Sequence, residues 1–192
     1  MGRMDAHALC IAHIEEVEKI KRKTIKMSRI IFLDIDGVLN SNFWNNAHQK
    51  EISDGTLIDE EKVKFLSILV KRTNAKIVLH SGWKYWFDQD LKPLRPEAEN
   101  LAMMFSEEDL LIGDITPDHS TKEIRTNKKF SLVKASEILA WLEEHEDVDN
   151  WIVIDDLDLH SKEVKLHQVK TDPSTGLTID DVYKAEKMLL NE

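Results

Sequence analysis

A chain of 192 residues with 42% hydrophobic side chains is long enough to bury one core without staples, and its apolar positions fall in short runs unlike those of a disordered chain. Its formal net charge of −10 argues against a broad nucleic-acid-binding surface. The single cysteine, Cys10, excludes an internal disulfide and suits a reducing compartment.

Residues 5–22 read as an amphipathic helix: Leu9, Ile14, Val17 and Ile20 recur near helical spacing, with acidic residues between them. Lys19, Lys21, Arg22, Lys23, Lys26 and Arg29 crowd its end and the stretch that follows, either as a solvated helix end and linker or as a phosphate-contacting patch. The helix is expected to pack on the main body or on a protein partner. Glu15, Glu16 and Glu18 stand where an export signal would be apolar, and Ala6 breaks the myristoylation pattern that Met1-Gly2 opens. No run approaches the roughly 20 apolar residues of a membrane span. A cytoplasmic protein without membrane contact is expected.

From Arg29 the pattern changes. Arg29 to Asp34 is an apolar run ending in a carboxylate, as in a strand buried on both faces. Residues 40–55, with Phe43 and Trp44, read as a loop or small flap. Residues 59–72 form a helix on Val63, Leu66, Leu69 and Val70, and Asn74 suits a left-handed cap just past its end. Lys76 to His80 is a second buried strand, followed by Ser81-Gly82. A mixed region containing Pro93 and Pro96 leads to a short strand at 110–112. Residues 118–129 read as a loop. Ser131 can cap a helix that reaches about His145, with Ile138, Leu139 and Leu142 turned inward. Trp151 to Asp155 is another strand ending in a carboxylate, and Val164 to Val169 reads as the last. Thr178 to Asp181 resembles a capping box opening a final helix with Val182, Ala185 and Leu189. Alternating strands and helices predict an α/β fold with a mostly parallel sheet covered on both faces. No glycine loop of a dinucleotide binder or P-loop NTPase occurs.

In such a sheet ligands bind beyond the carboxyl ends of the strands. There the sequence puts Asp34-Ile-Asp36-Gly37, His80-Ser81 and Asp155-Asp156. Gathering carboxylates is costly unless they share a cation, and a hard divalent ion with oxygen ligands such as Mg²⁺ answers that cost. Taken singly, each Asp could merely cap a helix or turn.

Phe32-Leu-Asp34-Ile-Asp36-Gly-Val-Leu39 resembles the first motif of the haloacid dehalogenase-like (HAD) hydrolase superfamily. Ile77-Val-Leu-His-Ser81, Lys134 and Val153-Ile-Asp155-Asp156 resemble its second, third and fourth motifs, in order. Trp83-Lys84, the run from Lys134 through Glu137-Ile138 to Trp141-Leu142, and Thr171-Asp-Pro173 with Gly176-Leu-Thr178 are similar to the small HAD domain of Swiss-army-knife RNA-repair proteins. Three positions depart from that pattern: His80 replaces a small hydroxyl residue, and Lys84 and Lys134 replace Arg, a point charge in place of a bidentate fork.

The resemblance implies a Rossmannoid three-layer α/β/α sandwich with a minimal cap over residues 27–192, preceded by an amphipathic extension at 1–26. It implies a Mg²⁺-dependent phosphatase in which Asp34 is the nucleophile and Asp36 the acid/base. Ser81, Gly82, Lys84 and Lys134 bind the phosphorylated substrate, Ser81 and Lys134 also stabilising the transition state, and Asp34, Asp36 (through its carbonyl), Asp155 and Asp156 hold the metal. A short flap leaves the site open to a large substrate, such as a nucleic-acid end. A small-molecule phosphatase or nucleotidase, and a non-catalytic binding module on the same fold, are the alternatives. His80 reads as a core-edge histidine or a substrate contact. Trp44, Trp83 and Trp86 read as packing or as stacking surfaces for a base, and Asp158 as a further metal-shell residue or an exposed acid.

Overall fold

The computed structural model describes residues 28–41, 49–53, 56–127 and 129–191. The helix expected at 5–22, the extension at 1–26 with most of the basic stretch, and Phe43 and Trp44 lie outside them.

The first strand, β1 (Ser28–Leu33), leads to an antiparallel hairpin, β2 (Gln49–Ser53) in the expected flap and β3 (Thr56–Asp59) just past its expected end. Helix α1 (Glu60–Thr73) follows directly. Asp59 caps it by accepting from the Glu61 amide, acidic residues fill its first turn, and Lys71 and Arg72 its last. Asn74 ends it in the left-handed conformation, φ 54°, as its sequence predicts. Strand β4 (Lys76–Leu79) runs into a 3₁₀ turn, Gly82–Trp86. Helix α2 (Pro96–Glu107) was not expected. Its buried Ala98, Leu101 and Phe105 hold one helical face, but the prolines before it mask the periodicity, and Pro96 in fact sits at the permitted first turn.

Strand β5 is Ile112–Ile115, displaced from the expected 110–112. The presumed loop at 118–129 contains a short helix, α3 (Lys122–Thr126), capped by Thr121. Helix α4 (Ser131–Glu143) starts with Phe130 at the cap position and no side-chain cap, so Ser131 is its first residue and not its cap. Strand β6 (Val148–Asp155) begins earlier than expected. The expected strand at 164–169 is instead the short helix α5 (Lys162–Leu166), capped by Ser161, and then β7 (Gln168–Lys170). Val164 buries itself from a helix, which a run this short cannot distinguish from a strand. Helix α6 (Ile179–Leu190) opens with the capping box of Thr178 and Asp181.

The five long-range strands pair in parallel in the order β5-β4-β1-β6-β7. Side chains alternate across β1, so Ile31 and Leu33 enter one core and Ile30 and Phe32 the other. The first core holds Leu66 and Leu69 of α1 and Val182, Ala185 and Leu189 of α6. In the second, Phe32 meets the edges of Trp141 at 5.3 Å and Trp151 at 5.9 Å, beside Ile138 of α4. Each fully buried leucine or phenylalanine in these layers contributes about 1.5–3 kcal/mol. Arg29 belongs to the scaffold: its guanidinium donates to the Thr73 and Leu189 carbonyls at the ends of α1 and α6, where a cation complements both helix dipoles. No helix among the described residues is long and apolar enough to cross a membrane.

Candidate active site

The parallel ladder continues one residue past the strands. The amides of Asp34, His80, Thr116 and Thr171 donate to Ile154, Leu33, Leu79 and Asp155 carbonyls, which aligns these four residues along the carboxyl edge of the sheet. This is the edge where a parallel sheet binds ligands.

Asp34 is buried there, and Lys134 reaches it from the second turn of α4 with Nζ 2.7 Å from Oδ2. The same ammonium donates to Asp155 Oδ2, also at 2.7 Å. Burial raises the Asp34 pKa, but Lys134, with smaller contributions from His80 and the Ser81 hydroxyl, outweighs it and holds the carboxyl below its usual range. Asp155 goes the other way. Burial and the charge of Asp34 push it up to about 7 despite Lys134. Asp156, half-buried, is also raised, first by burial and then by Asp34. Lys134 is shifted upward: desolvation opposes its charge, but Asp34 and Asp155 prevail.

One cation therefore serves a group of three carboxylates. Oxygens of Asp34, Asp155 and Asp156 lie within 4.8 Å of one another, a spacing and donor type suited to a hard divalent ion. Burial and the charge of Asp34 raise Asp155 and Asp156, a cost that a bound cation would relieve. The residues fit Mg²⁺.

The Asp36 carboxylate is not in that group. It is exposed, accepting from Trp83 Nε1 at 3.0 Å and from Asn40 Nδ2 at 2.9 Å. Asn40 in turn accepts from the Gly37 amide at 2.8 Å, which closes the turn. Gly37 has φ +74°, and a Cβ there would stand 2.6 Å from Asp156 Cγ, so glycine is required both for the turn and for the approach of Asp156. The segment after β7 buttresses the same turn. Thr171 Oγ1 donates to the Gly37 carbonyl, the Leu177 amide donates to the Val38 carbonyl, and Gly176 lies too close to the Val38 and Asn40 carbonyls to admit a side chain.

Ser81 is buried and caps the 3₁₀ turn through the Trp83 amide, and its hydroxyl helps to lower the Asp34 pKa. Gly82 opens that turn with free space where a Cβ would be. Lys84 is turned into the protein: Nζ donates to Glu137 Oε2 and the Pro117 carbonyl, each at 2.7 Å, and to Thr116 Oγ1. Burial lowers its pKa although Glu137 opposes the shift. His80 is 1% exposed. Its Nε2 stands 3.4 Å from Asp155, and neither ring nitrogen completes a hydrogen bond. Burial, and then Lys134, push its pKa down to about 3, so the ring is neutral. Trp83 is buried against Trp86, 4.5 Å between centroids, and its contribution to the site is an N–H. Asp158 is exposed and bound to Lys165, away from the carboxylate group.

Sequence reading gave no role to Asn40, or to Glu137 and Thr171 within the runs that carry the resemblance, and read Trp83 as packing or stacking and not as a hydrogen-bond donor. Glu137 carried a signal: it lies one turn after Lys134 on an otherwise apolar helix face, where a buried acid needs a cation. Asn40 carried none, and Thr171 carried only its place in the family-like run, since its partner, the Gly37 carbonyl, is distant in sequence.

A search of curated proteins returns no match to this chain. Residues 30–182, which include every residue of the site, match the family model for the HAD domain in Swiss Army Knife RNA repair proteins, and the chain belongs to that family.

Proposed function

We propose that this protein is a Mg²⁺-dependent phosphomonoesterase that works through an aspartyl-phosphate on Asp34. The observation that carries the reading is Asp34 itself: a buried carboxylate kept ionised by Lys134, beside two more carboxylates and two residues before an exposed acid. HAD membership supports hydrolase-type chemistry.

In this mechanism an Asp34 oxygen attacks phosphorus and the ester oxygen departs, taking a proton from Asp36. A water then gives a proton back to Asp36 and attacks the acyl phosphate, releasing phosphate and the Asp34 carboxylate. Trp83 and Asn40 aim Asp36 for both transfers. Lys134 and Ser81 neutralise and orient the phosphoryl oxygens, interactions that matter most as charge develops. Lys84 acts at one remove, fixing Glu137 and the loop after β5. Asp34, Asp155 and Asp156, with the Asp36 carbonyl, would hold Mg²⁺, whose charge lets an anionic carboxylate meet an anionic substrate.

For the substrate we infer a phosphorylated nucleic-acid end. The family's RNA-repair context supports this, as does the small cover: between Asp34 and Ser81 the described insertions amount to the β2–β3 hairpin and α1. The test is hydrolysis of an aryl phosphate by wild type and Asp34→Asn, with Mg²⁺ or EDTA, followed by phosphorylated oligoribonucleotides against mononucleotides. Metal-dependent turnover lost in Asp34→Asn supports the chemistry. A preference for mononucleotides would replace the substrate class and leave the chemistry intact.

A further inference from the structure

The two faces of the sheet are covered unequally. Helices α1 and α6 span the first, whereas the second core draws on α4 and the short α5. Alongside α4 runs a groove of about 460 Å³ with Leu139, Leu142 and Trp151 on its floor. All three are only part-buried, and Leu132 on the same helix is 55% exposed. The apolar stripe of α4 is thus wider than the sheet beneath it can cover. The rim is acidic. Glu143, Glu146, Asp149 and Glu163 are exposed and form no ion pair among the described residues.

The complementary chemistry lies in the same chain and arrives at this place. Ser28 pairs with Val148, and Val148 lines the groove. The residues just before Ser28 include Lys19, Lys21, Arg22, Lys23 and Lys26, preceded by the apolar series Leu9, Ile14, Val17 and Ile20. Arg29 is excluded from this cluster because its guanidinium is committed to the ends of α1 and α6. Five residues of chain span at most about 18 Å, so Lys23 and Lys26 are tethered close to the acidic rim. An apolar series with cations at one end matches an apolar floor with carboxylates around it, and tethering makes the contact intramolecular at high effective concentration.

We propose that residues 9–26 dock in cis on this groove, with their apolar side chains on Leu139, Leu142 and Trp151 and their cations against Glu143, Glu146, Asp149 and Glu163. The site edge plays no part in the contact.

The chain's lone thiol, Cys10, provides the probe. A nitroxide on Cys10 of the full chain should selectively broaden the backbone amide resonances of residues 139–151. That broadening should be lost in Lys21→Glu/Arg22→Glu/Lys23→Glu and in Glu146→Lys/Asp149→Lys, and regained when the two sets are combined. Recovery in the combined protein separates lost attraction from misfolding. Broadening that is absent or evenly spread would overturn the proposal. So would broadening seen only when spin-labelled chains are mixed with isotope-labelled Cys10→Ser chains, since the occupant would then be a second copy.

Discussion

Lys134 bridges Asp34 and Asp155, its Nζ lying 2.7 Å from Oδ2 of each. Its removal leaves two buried carboxylates without a cation, and breaking a buried pair in this way costs about 3–5 kcal/mol. Lys134→Met should therefore lose that much stability in denaturant titrations with EDTA. Added Mg²⁺ should recover more stability in the variant than in wild type, because the carboxylate group has lost its other positive charge. Equal Mg²⁺ effects in the two proteins would contradict the shared-cation account.

Trp83→Phe preserves an aromatic ring against Trp86 and deletes the N–H that holds Asp36. A hydrogen bond to a charged group contributes about 1.5–3 kcal/mol, so kcat should fall roughly 10- to 100-fold. KM should change little, since in the proposed mechanism Asp36 transfers protons and does not anchor the phosphate. A raised KM with unchanged kcat would place Trp83 in substrate binding instead.

Gly37→Ala forces a Cβ to within 2.6 Å of Asp156 Cγ at a positive φ. Because Asp156 must shift or the turn must open, the variant should both unfold at lower temperature and gain less thermal stability from Mg²⁺. Gly176→Ala meets the Val38 carbonyl at 2.8 Å and should lower stability as well. Thermal melts with and without Mg²⁺ check both.

The central strands β1, β4 and β6 were legible in the sequence because they are continuous apolar runs, with Asp34, Ser81 and Asp155 at their ends. The helices α1 and α6 were legible through their caps, Asp59, Asn74 and Thr178. Of the pieces misread, α2 is long but its period is masked by the prolines before it, and the others are short. Helix α5 buries one residue, Val164, and α3 none, so neither shows a period. The grouping of Asp34, Asp155 and Asp156 followed from topology, whereas the orientation of Lys84 did not. A lysine after the second motif can reach a phosphate or an internal acid, and the acid that Lys84 meets, Glu137, lies 53 residues away.

Asp118 accepts from Tyr85 and Ser120 and pairs with Arg125 on the loop after β5. Burial raises its pKa, but the Ser120 and Tyr85 bonds and Arg125 bring it down to about 2, below its ordinary 3.8. A depressed folded-state pKa means stability present above about 4 and lost as pH falls towards 2. Wild type should therefore exceed Asp118→Asn in stability at pH 6, by under about 1 kcal/mol for so exposed a pair, with the difference closing between pH 4 and 2. A difference independent of pH over that range would show that Asp118 acts by packing and not by charge.

The central claim is that Asp34 carries the phosphoryl group, and trapping it is the most direct test. Asp36→Asn should form the intermediate from an aryl phosphate, whose leaving group needs no proton, and then hydrolyse it slowly for want of a base. Mass spectrometry of acid-quenched Asp36→Asn should find a phosphoryl group on the peptide containing Asp34, dependent on Mg²⁺ and absent when Asp34 is also changed to Asn. Turnover by the wild type with no label at Asp34, or turnover that survives Asp34→Asn, would contradict the account.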